Sequence, residues 1–412
     1  MGRILVKKFG GTSLKDVECI LRVANIVRQS VERGHKLVVV VSAMGRFTDE
    51  AVTTAQEVSE LASEAQLSEY DVVVSSGEQV SCGLLALALQ RINIKATSIM
   101  GWQIPINTTG EHSRARIIEI KPDRILSLLN EHDVVIVAGF QGIHNARITT
   151  LGRGGSDISA VAIAAALRLD ACYMYTDVAG VYTANPCLVP SARKLDHVTY
   201  NDMVEISASG RAILNVRSVE MAMRCGVRIH VMSSSQEAKG TLVSFGCERE
   251  MESRIITGIA ISKKIASVSL GGVPAVPGIA AALLPIAEGN IDVDMIMQTV
   301  DGELRNITFT VQEEDLQKTQ DILLQHKHNI LYESLAVTDS LAKVSLVGAC
   351  MISRPGVASR VFSALASGGI AVLAVSTSEI KITVLMHEQS AAPALSLLHE
   401  EFALDRESVL CT

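Results

Sequence analysis

The sequence is short of aromatic residues. Phe, Trp and Tyr together make up 3% of the 412 residues, and the formal net charge at pH 7 is −7. Proteins that bind nucleic acids need a basic surface, and many of them also stack aromatic side chains on bases. The composition therefore argues against a nucleic-acid-binding surface.

Paired cysteines and long apolar runs are also missing. The eight cysteines include no Cys-x-x-Cys pair, so they predict reduced thiols in a cytoplasmic protein. No signal peptide precedes the first predicted strand. The longest apolar runs, such as 83–89 and 160–167, are too short to span a bilayer. We therefore expect no membrane partner.

Apolar residues are plentiful, at 48%, and their pattern predicts an α/β fold. Continuous apolar runs such as 36–43, 134–140 and 171–176 are typical of strands buried on both faces of a parallel sheet. Amphipathic or Ala/Leu-rich stretches, such as 17–32 and 48–65, alternate with them and predict helices. The chain is long enough for two or three domains with proper cores.

A glycine-rich turn at 152–155 leads into a predicted buried helix. Its sequence is Leu151-Gly152-Arg153-Gly154-Gly155-Ser156-Asp157. Glycines before a helix allow close backbone approach, and free N–H groups at the positive end of the helix dipole suit an anion. Arg153 could bind a carboxylate or phosphate, and Asp157 could align a metal or a lysine. The alternative is a flexible turn before an ordinary helix.

Another glycine turn, at 10–13, opens the chain; in chain order it is the first glycine turn and 152–155 is the second. Strand 4–9 is followed by Gly10-Gly11-Thr12-Ser13 and then by helix 17–32, which predicts a phosphate cradle, although the spacing is not that of a Walker loop. Lys8, at the strand end, could bridge phosphates; the alternative is a solvated lysine at a strand edge. Two such loops in one domain favour function.

These motifs carry a resemblance to a known family. They are Lys8-Phe9-Gly10-Gly11-Thr12-Ser13, Val41-Ser42-Ala43-Met44-Gly45, Ser76-Gly77-Glu78-Gln79, the run 152–160 and Thr176-Asp177-Val178-Ala179-Gly180-Val181-Tyr182-Thr183. In this order and over essentially the whole chain, they resemble aspartate kinase, of the amino acid kinase superfamily. Glutamate 5-kinase, acetylglutamate kinase and uridylate kinase share the fold but lack this combination. The resemblance implies an open, mostly parallel sheet with helices on both faces, within a catalytic domain at 1–248.

The resemblance also implies a reaction and a set of site residues. The reaction would be ATP-dependent phosphorylation of the β-carboxylate of L-aspartate to 4-phospho-L-aspartate, the first step towards lysine, threonine and methionine. Lys8 would stabilise the transferring group, and Asp157 would orient Lys8 or assist Mg²⁺, itself held mainly by the nucleotide. The substrate residues would be Ser42, Thr48, Glu78, Arg153, Gly154, Gly155 and Ser156. The nucleotide residues would be Lys8, Phe9, Gly10, Gly11, Ser13, Thr176, Asp177, Gly180, Tyr182 and Arg211.

Several roles follow from charge, and some have alternatives. Charge assigns Arg153 to the α-carboxylate of aspartate, whereas the resemblance implies that Glu78 and Thr48 recognise its amino group. Phosphate cradling is assigned to the N–H groups of Gly10, Gly11, Gly154 and Gly155. No general base is needed, because the nucleophile is already ionised. Glu78 could instead only favour a helix dipole, and Tyr182 could be a half-buried strand tyrosine rather than a nucleotide contact.

The sequence departs from the family on the nucleotide side. Where the family usually has Thr-Ala-Asp-Pro-Arg, this chain has Thr183-Ala184-Asn185-Pro186-Cys187. The family also usually carries a lysine at the position of Ala212, whereas this chain has Arg211 one residue earlier. One residue on a helix is a rotation of ~100°, so Arg211 substitutes only if the turn shifts. We therefore expect weak ATP handling.

The C-terminal part repeats internally. Pro277-Gly278-Ile279-Ala280-Ala281 recurs as Pro355-Gly356-Val357-Ala358-Ser359, and each copy predicts strand–helix–strand–strand–helix–strand. Two such ferredoxin-like βαββαβ units resemble paired ACT domains, at 262–340 and 341–412. A purely structural dimerisation module is the alternative.

The resemblance implies regulation by lysine or threonine through this part. Asp292, Asp294 and Gln298 are the candidates to hold an amino-acid effector. Ala275 stands where lysine- or threonine-sensitive relatives usually have an aspartate, so we expect weak or altered feedback. Sheet edges are buried by pairing, which predicts a homodimer or larger assembly. Met251 could also begin a separate regulatory subunit.

Three functions remain open from the sequence. The first is an ATP-dependent aspartate kinase. The second is a paralogue that phosphorylates another acid or has lost turnover, which Cys187 and Ala212 favour. The third is a regulatory subunit that binds an amino acid through 262–412.

Overall fold

The structure is a computed structural model that describes residues 2–210, 213–246, 255–276, 278–348, 351 and 356–406. These residues form two compact units. The first contains 2–182, 194–207 and 213–246, and the second contains 183–193, 208–210 and the described residues from 255 onwards.

The first unit is built around parallel strands with helices between them. Its strands are β1 (Ile4–Phe9), β2 (Lys36–Val41), β3 (Ala96–Ile99), β4 (Ile106–Thr108), β5 (Ile117–Ile120), β6 (Val134–Ala138), β7 (Gln141–His144), β8 (Arg147–Thr150), β9 (Ala171–Thr176), β10 (His197–Thr199), β11 (Arg228–Ser233) and β12 (Thr241–Ser244). Its helices are α1 (Val17–Glu32), α2 (Phe47–Val58), α3 (Glu64–Val74), α4 (Ser76–Arg91), α5 (Asp123–Glu131), α6 (Gly155–Ala166), α7 (Tyr200–Ala208) and α8 (Val216–Cys225).

Eight of these strands form the larger sheet, in the order β10-β12-β11-β9-β1-β2-β6-β3. The six strands from β11 to β3 run parallel, and β12 is antiparallel to β11. Helices α1 and α4 pack on one face, and α5, α6 and α8 pack on the other. The valines of β2 and β6 are fully buried because both faces are covered. The predicted fold class is confirmed.

The predicted elements differ from the structure mainly at their ends. Strand β1, strand β9 and helix α1 have the predicted bounds. The single helix predicted at 48–65 is wrong: α2 ends at Val58, and α3 starts after Ser63, which forms a capping box with Gln66. Thr48 is not the N-cap of α2, because Arg46 holds that position.

Four strands form a smaller sheet beside the larger one, in the order β5-β4-β7-β8. Strands β7 and β8 pair antiparallel as a hairpin that leads towards the glycine turn at 152–155. Asp71 of α3 ties this hairpin to the helices, because its buried carboxylate accepts bonds from the Thr150 hydroxyl (2.5 Å) and the Ser113 N–H. Nδ1 of His112 lies 2.7 Å from the same carboxylate. Thr150 immediately precedes the second glycine turn, so this cluster fixes where that turn begins.

One helical stretch is longer and more apolar than the sequence analysis allowed. Glu64–Arg91, which joins α3 and α4, is long and apolar enough to cross a membrane by length and composition. However, 56% of its most apolar window is buried inside the fold, and Cys82, Leu85 and Leu89 pack in the core against the sheet. These contacts are those of a core helix.

The second unit contains a six-stranded sheet. Its elements are β13 (Gly258–Pro274), α9 (Ile279–Glu288), β14 (Asp294–Asp301), β15 (Leu304–Gln312), α10 (Leu316–Gln325), α11 (Lys327–Ile330), β16 (Ser334–Val347), α12 (Val357–Ser367), β17 (Ala374–Thr377), β18 (Lys381–His387) and α13 (Glu388–Glu401). The strand order is β14-β15-β13-β16-β18-β17. One core lies under α9 and α10, and another lies under α12 and α13.

The two predicted repeats share long strands in this sheet. The first part of β13, 258–262, pairs with the end of β16, whereas its later part pairs with the start of β16 and with β15. The first part of β13 therefore completes the core of the second repeat, which includes Ile259. The predicted boundaries at 262 and 341 fall inside β13 and β16. The boundary at 248, Met251 and the last predicted strand lie outside the described residues.

A short segment of the kinase motif also belongs to the second unit. Residues 183–193 fold there, and Ala184 and Val189 are buried in the core under α12 and α13. The Thr183 carbonyl accepts the Ile259 N–H (2.7 Å), and Oγ1 of Thr183 lies 3.0 Å from Nε2 of His399. The chain thus leaves the first unit after Tyr182.

Candidate functional site

Strand β1 carries Lys8 to the centre of the larger sheet. Because side chains alternate along a strand, Lys8 faces α6 while Lys7 and Phe9 face α1. Nζ of Lys8 lies 2.5 Å from Oδ1 of Asp157, and the two side chains are only 13% and 10% exposed. Oδ2 of Asp157 accepts the Asn215 N–H (3.3 Å). The ammonium is thus held by a charge-assisted contact close to both glycine turns.

The first glycine turn is packed against the loop after β2. A Cβ on Gly11 would lie 2.8 Å from the Ala43 carbonyl oxygen, so no larger residue fits, and the Gly11 carbonyl accepts the Gly45 N–H. The predicted role of the Gly10 N–H is wrong, because it already donates to the Tyr175 carbonyl (3.2 Å). An N–H group has one proton to donate, so Gly11 is the glycine of this turn that can offer its N–H.

The second glycine turn starts α6. Gly154 is the N-cap with φ 69°, and a Cβ there would lie 2.4 Å from Cβ of Asn215, so glycine is required twice over. The Gly155 N–H donates to the Gly152 carbonyl (2.9 Å) and cannot cradle a phosphate, which corrects that part of the prediction. The N–H groups of Gly154 and Ser156 have no recorded acceptor within the described residues and remain at the positive end of the helix.

Arg153 projects from this turn into solvent, and the described residues give it no ion pair. Its main chain is held from α8: Nδ2 of Asn215 donates to the Arg153 carbonyl (2.9 Å). Arg217 donates to the carbonyls of Leu151 and Ala115. Asn215 and Arg217 were not among the predicted site residues. The available signal for Asn215 was its residue type, because asparagine is favoured at a helix N-cap such as that of α8.

Glu78 lies in the first turn of α4 and is 3% exposed. Its Oε1 accepts the Ala43 N–H (3.0 Å), and its Oε2 is buried without a partner. Burial raises the pKa of Glu78 from 4.5 to about 7, against the opposing effects of the Ala43 N–H and the Lys8 charge. A Cβ on Gly77 would lie 2.6 Å from Cβ of Ala43, which explains how this helix approaches the loop so closely. The unpartnered oxygen is what a substrate ammonium would complete.

Ser42 and Thr48 lie on the same loop and the helix that follows it. Both are half-buried, and the Ser42 N–H donates to the Phe9 carbonyl (3.1 Å). No partner is recorded for either hydroxyl in the described part of the chain. Both hydroxyls therefore remain available to a ligand, and their assignment stays a prediction.

Two of the predicted nucleotide residues, Phe9 and Ser13, already have other partners for their side chains. Phe9 is fully buried and stacks on Tyr175 with ring centroids 4.6 Å apart, so only its main chain could contact a ligand. The Ser13 hydroxyl donates to Ser234 (2.8 Å), so it positions the turn rather than offering its proton to a phosphate. The predicted nucleotide contacts of Phe9 and Ser13 therefore stay predictions for their main chains.

The turn after β9 remains a candidate for the nucleotide. Thr176 donates from its hydroxyl to the Asp177 carboxylate (3.1 Å). Gly180 has φ 151°, and a Cβ there would lie 2.5 Å from Oγ1 of Thr241. Tyr182 is half-buried, and its main chain forms a β-bridge with Lys194. Its two predicted roles, a nucleotide contact or a half-buried strand tyrosine, both stay predictions. Arg211 and Ala212 lie outside the described residues.

Cys187 is exposed in the segment of the kinase motif that belongs to the second unit. Its N–H donates to the Asn185 side chain (2.9 Å), a local turn that an aspartate would also form. The Asn185 departure is therefore conservative in this fold. Within the described residues, no group of three or more His, Cys, Asp or Glu side chains is arranged to hold a metal ion.

The predicted effector residues lie at the edge strand of the second unit. Asp292 and Gln298 are exposed, and Asp292 precedes β14. Asp294 forms an ion pair with Lys343. Burial alone would raise the pKa of Asp294, but the hydrogen bond and charge of Lys343 outweigh it and lower that pKa. A register shift after Asp294 interrupts the alternation, so Asp294 and Gln298 do not share a simple strand face.

Two family profiles and several known proteins match this chain. The profile of the amino acid kinase family matches residues 3–233, and that of the ACT domain matches residues 344–402. An aspartokinase of Pseudomonas aeruginosa is 44% identical over 406 residues, covering 98% of each chain. One of Bacillus sp. (strain MGA3) is 41% identical over 409 residues, again covering 98% of each chain.

Solved structures give the same result. Aspartokinase III of E. coli in complex with aspartate and ADP (R-state) has a TM-score of 0.82 and 25% identity, over 97% of this chain and 100% of that one. The same enzyme in complex with lysine and aspartate (T-state) has a TM-score of 0.75 and 25% identity, over 97% and 99%.

Proposed function

Because the chain belongs to the aspartokinase family of amino acid kinases, we propose that it transfers the terminal phosphate of ATP to the β-carboxylate of L-aspartate, giving 4-phospho-L-aspartate. The observation that carries the proposal is the buried Lys8–Asp157 pair beside the two glycine turns. Transfer between two anions requires charge neutralisation and alignment more than acid–base chemistry.

Lys8 neutralises the transferring phosphoryl group. Asp157 keeps the Lys8 ammonium in place, and Asn215 in turn holds Asp157. The N–H groups of Gly11 and Gly154, one from each glycine turn, donate to the same phosphoryl group. Fixed donors of this kind are commonly worth ~10²–10³ in rate each.

Aspartate is held at both of its ends. Arg153 binds the α-carboxylate through a bidentate pair of hydrogen bonds. Its guanidinium is available for this because it is exposed and has no ion pair among the described residues. Glu78 binds the ammonium through its unpartnered Oε2, together with Thr48. The β-carboxylate is then left as the nucleophile, and it is already ionised at neutral pH.

The nucleotide enters as MgATP. Both oxygens of Asp157 already have partners, and the described residues provide no cage of carboxylates. Mg²⁺ prefers to keep waters and to bind through substrate phosphates, so it fits a site of this kind as part of the substrate. Thr176, Asp177, Gly180 and Tyr182 line the turn that would face the nucleotide.

Trapping of the product tests the proposal. Purified protein with MgATP, L-aspartate and hydroxylamine should form the aspartyl hydroxamate, and L-glutamate in place of aspartate should give little. The Lys8→Ala variant is the negative control. Hydroxamate formation with another acid but not with aspartate would overturn the substrate assignment, and no turnover with any acid would overturn the reaction.

Regulation by an amino acid is proposed for the second unit. Its support is the ACT domain profile and the exposed side chains of Asp292 and Gln298, which have no ion pair among the described residues, whereas Asp294 can receive an effector ammonium only if Lys343 is displaced. Lysine and threonine are the candidates. Calorimetry with each amino acid on wild type and on Asp292→Asn tests this: we expect weak binding in wild type and weaker binding in the variant, whereas equal binding would exclude Asp292.

A homodimer through the same unit is also proposed, in the cytoplasm. In the described residues nothing pairs with the outer edge of β14, and an exposed strand edge favours pairing with a second chain. The five cysteines that the structure describes are all free, which suits a reducing compartment. Sedimentation should give twice the chain mass of 44.0 kDa; a particle of one chain mass at micromolar concentration would contradict the dimer.

A further inference from the structure

A polar cavity lies in the first unit, on the other face of the larger sheet from Lys8. Its volume is about 510 Å³, and it lies between α1 and the segment 232–239 that follows β11. Lys7 lies in its wall and contacts Ser30 of α1, whereas the neighbouring Lys8 contacts Asp157 of α6. Strand alternation thus places the two lysines on opposite faces. The cavity and the glycine turns are separate sites.

Lys7 is a buried cation without a carboxylate. It is 6% exposed, and its Nζ donates to Oγ of Ser30 (2.7 Å) and to the Tyr175 hydroxyl (3.2 Å). Burial, and secondarily the nearby charge of Arg33, lowers the pKa of Lys7 to about 8. Among the described residues no carboxylate lies within 4 Å of this ammonium. A buried charge is costly unless it is paired, so the cavity favours an anion beside Lys7.

Most of the other charged side chains that line the cavity are also cations. Arg33, at the C-terminal end of α1, faces the cavity and has no ion pair in the part of the chain that the structure describes. Arg22 and Lys239 also line it; Arg22 pairs with Glu18, and Lys239 reaches Asp196 only at 3.8 Å. Glu237 is the single carboxylate of the lining, against four cations, in a chain whose net charge is −7. This concentration of positive charge is local.

Neutral donors accompany these cations. Ser233 and Ser235 lie in one wall, where their hydroxyls bond to each other (3.1 Å) and leave one proton to donate, and the amides of Asn25 and Gln29 lie along α1. A ligand with several acceptor oxygens and two negative charges uses such a set better than a single carboxylate does. The cavity is also in the size range of small-molecule sites, ~300–1,000 Å³.

We propose that this cavity binds a small organic phosphate. Its phosphate lies between Lys7 and Arg33, and the remainder of the molecule extends along Asn25 and Gln29. None of these four residues belongs to a glycine turn or to the proposed kinase site. The proposal is therefore independent of the proposed function.

The wall of the cavity reaches the nucleotide loops. The Ser234 hydroxyl accepts from Ser13 of the first glycine turn (2.8 Å) and donates to the Thr176 carbonyl (3.1 Å). A ligand that orders 233–235 therefore also orders the turns on either side of the proposed nucleotide site. Binding in the cavity should for this reason alter the affinity for nucleotide.

Calorimetry with glycerol 3-phosphate on the full-length protein tests the site. We expect a wild-type Kd below about 1 mM. Arg33→Glu should weaken binding by about 10-fold or more, because it removes one charge-assisted contact and adds a repulsive charge. Arg28→Glu is the matched control: Arg28 is on the same helix and exposed but does not line the cavity, so binding should be unchanged.

Two further variants separate the cavity from the glycine turns. Lys7→Met keeps an apolar stem in the buried position and should also weaken binding about 10-fold. Lys8→Ala alters the kinase site and should leave this binding intact. Equal affinity in Arg33→Glu and wild type, loss of binding in Lys8→Ala but not in Arg33→Glu, or a wild-type Kd weaker than about 1 mM would each overturn the proposal.

Discussion

Replacing Glu78 with glutamine should stabilise the unliganded protein while impairing aspartate binding. The carboxyl group is 3% exposed, accepts one hydrogen bond from Ala43 and leaves Oε2 without a partner. An ionised carboxylate in that position lacks much of the solvation that it has in the unfolded chain. Glutamine has nearly the same shape and can still accept the Ala43 N–H, but it carries no charge.

The magnitude follows from the pKa. A rise from 4.5 to about 7 corresponds to about 3 kcal/mol, at ~1.4 kcal/mol for each tenfold change in proton affinity. The amide group of glutamine remains unpartnered where Oε2 was, which costs about 1–2 kcal/mol of this gain. We therefore expect Glu78→Gln to raise the free energy of unfolding by about 1–2 kcal/mol above pH 7.

The pH dependence fixes the sign of the effect. Between pH 4.5 and about 7 the folded protein binds a proton at Glu78 that the unfolded chain has released. Wild-type stability from this group is therefore fully present below pH 4.5 and is lost as pH rises through 7. The gain of the variant should be absent near pH 4.5 and complete above pH 7.

Urea unfolding at pH 5 and pH 8 measures the effect, with and without L-aspartate. Glu57→Gln is the control, because Glu57 is an exposed carboxylate on α2 with no recorded ion pair in the described residues. Aspartate should stabilise wild type more than Glu78→Gln, since its ammonium pairs with the carboxylate. Equal destabilisation by Glu78→Gln at both pH values would refute the reasoning about burial.

Four further substitutions test the rest of the site. Lys8→Ala should lower kcat by ~10²–10³, and near-normal kcat would remove its catalytic role. Arg153→Ala should raise the KM for aspartate by roughly 10- to 100-fold with a smaller effect on kcat; an unchanged KM would mean that another group holds the α-carboxylate. Asn215→Ala should cost about 1 kcal/mol of stability as a lost N-cap and also raise the KM for aspartate, because the Asn215 side chain holds the Arg153 carbonyl; its bond to Asp157 comes from the main-chain N–H and is retained. Cys187→Arg should lower the KM for ATP, as steady-state kinetics would show, and an indifferent KM would mean that the missing arginine does not matter here.

Some elements of the fold could be predicted because their signals are local. Strands β1 and β9 are apolar runs that end at the glycine turn and at Asp177, and helix α1 has an aspartate N-cap and regular amphipathic spacing. The break between α2 and α3 was missed. The residues on both sides of the break are good helix formers, so they favour one continuous helix. The signal for the break is Ser63 followed by Gln66, which form a capping box at the start of α3.

The partners within the site could not be predicted from spacing. Lys8 and Asp157 were expected together because both lie in glycine-rich motifs, and they do form a pair. Asn215 and Arg217 are distant in sequence and carry no motif, yet they hold the turn around Arg153 by bonds to main-chain carbonyls. Which N–H of the first glycine turn is already bonded also depends on a contact with the neighbouring strand β9.

The division of the nucleotide motif shows the same limit at the level of domains. By sequence, 176–187 is one continuous motif, yet its residues after Tyr182 belong to the second unit. Ala184 and Val189 carry no periodicity that would tell which core they enter; only the buried contacts with Ile259 and its neighbours decide it. A substitution such as Val189→Ala should therefore act on the stability of the second unit, because it opens a cavity in that core. The departures at Asn185 and Cys187 lie in this same segment, so the second unit fixes the main chain that carries both side chains.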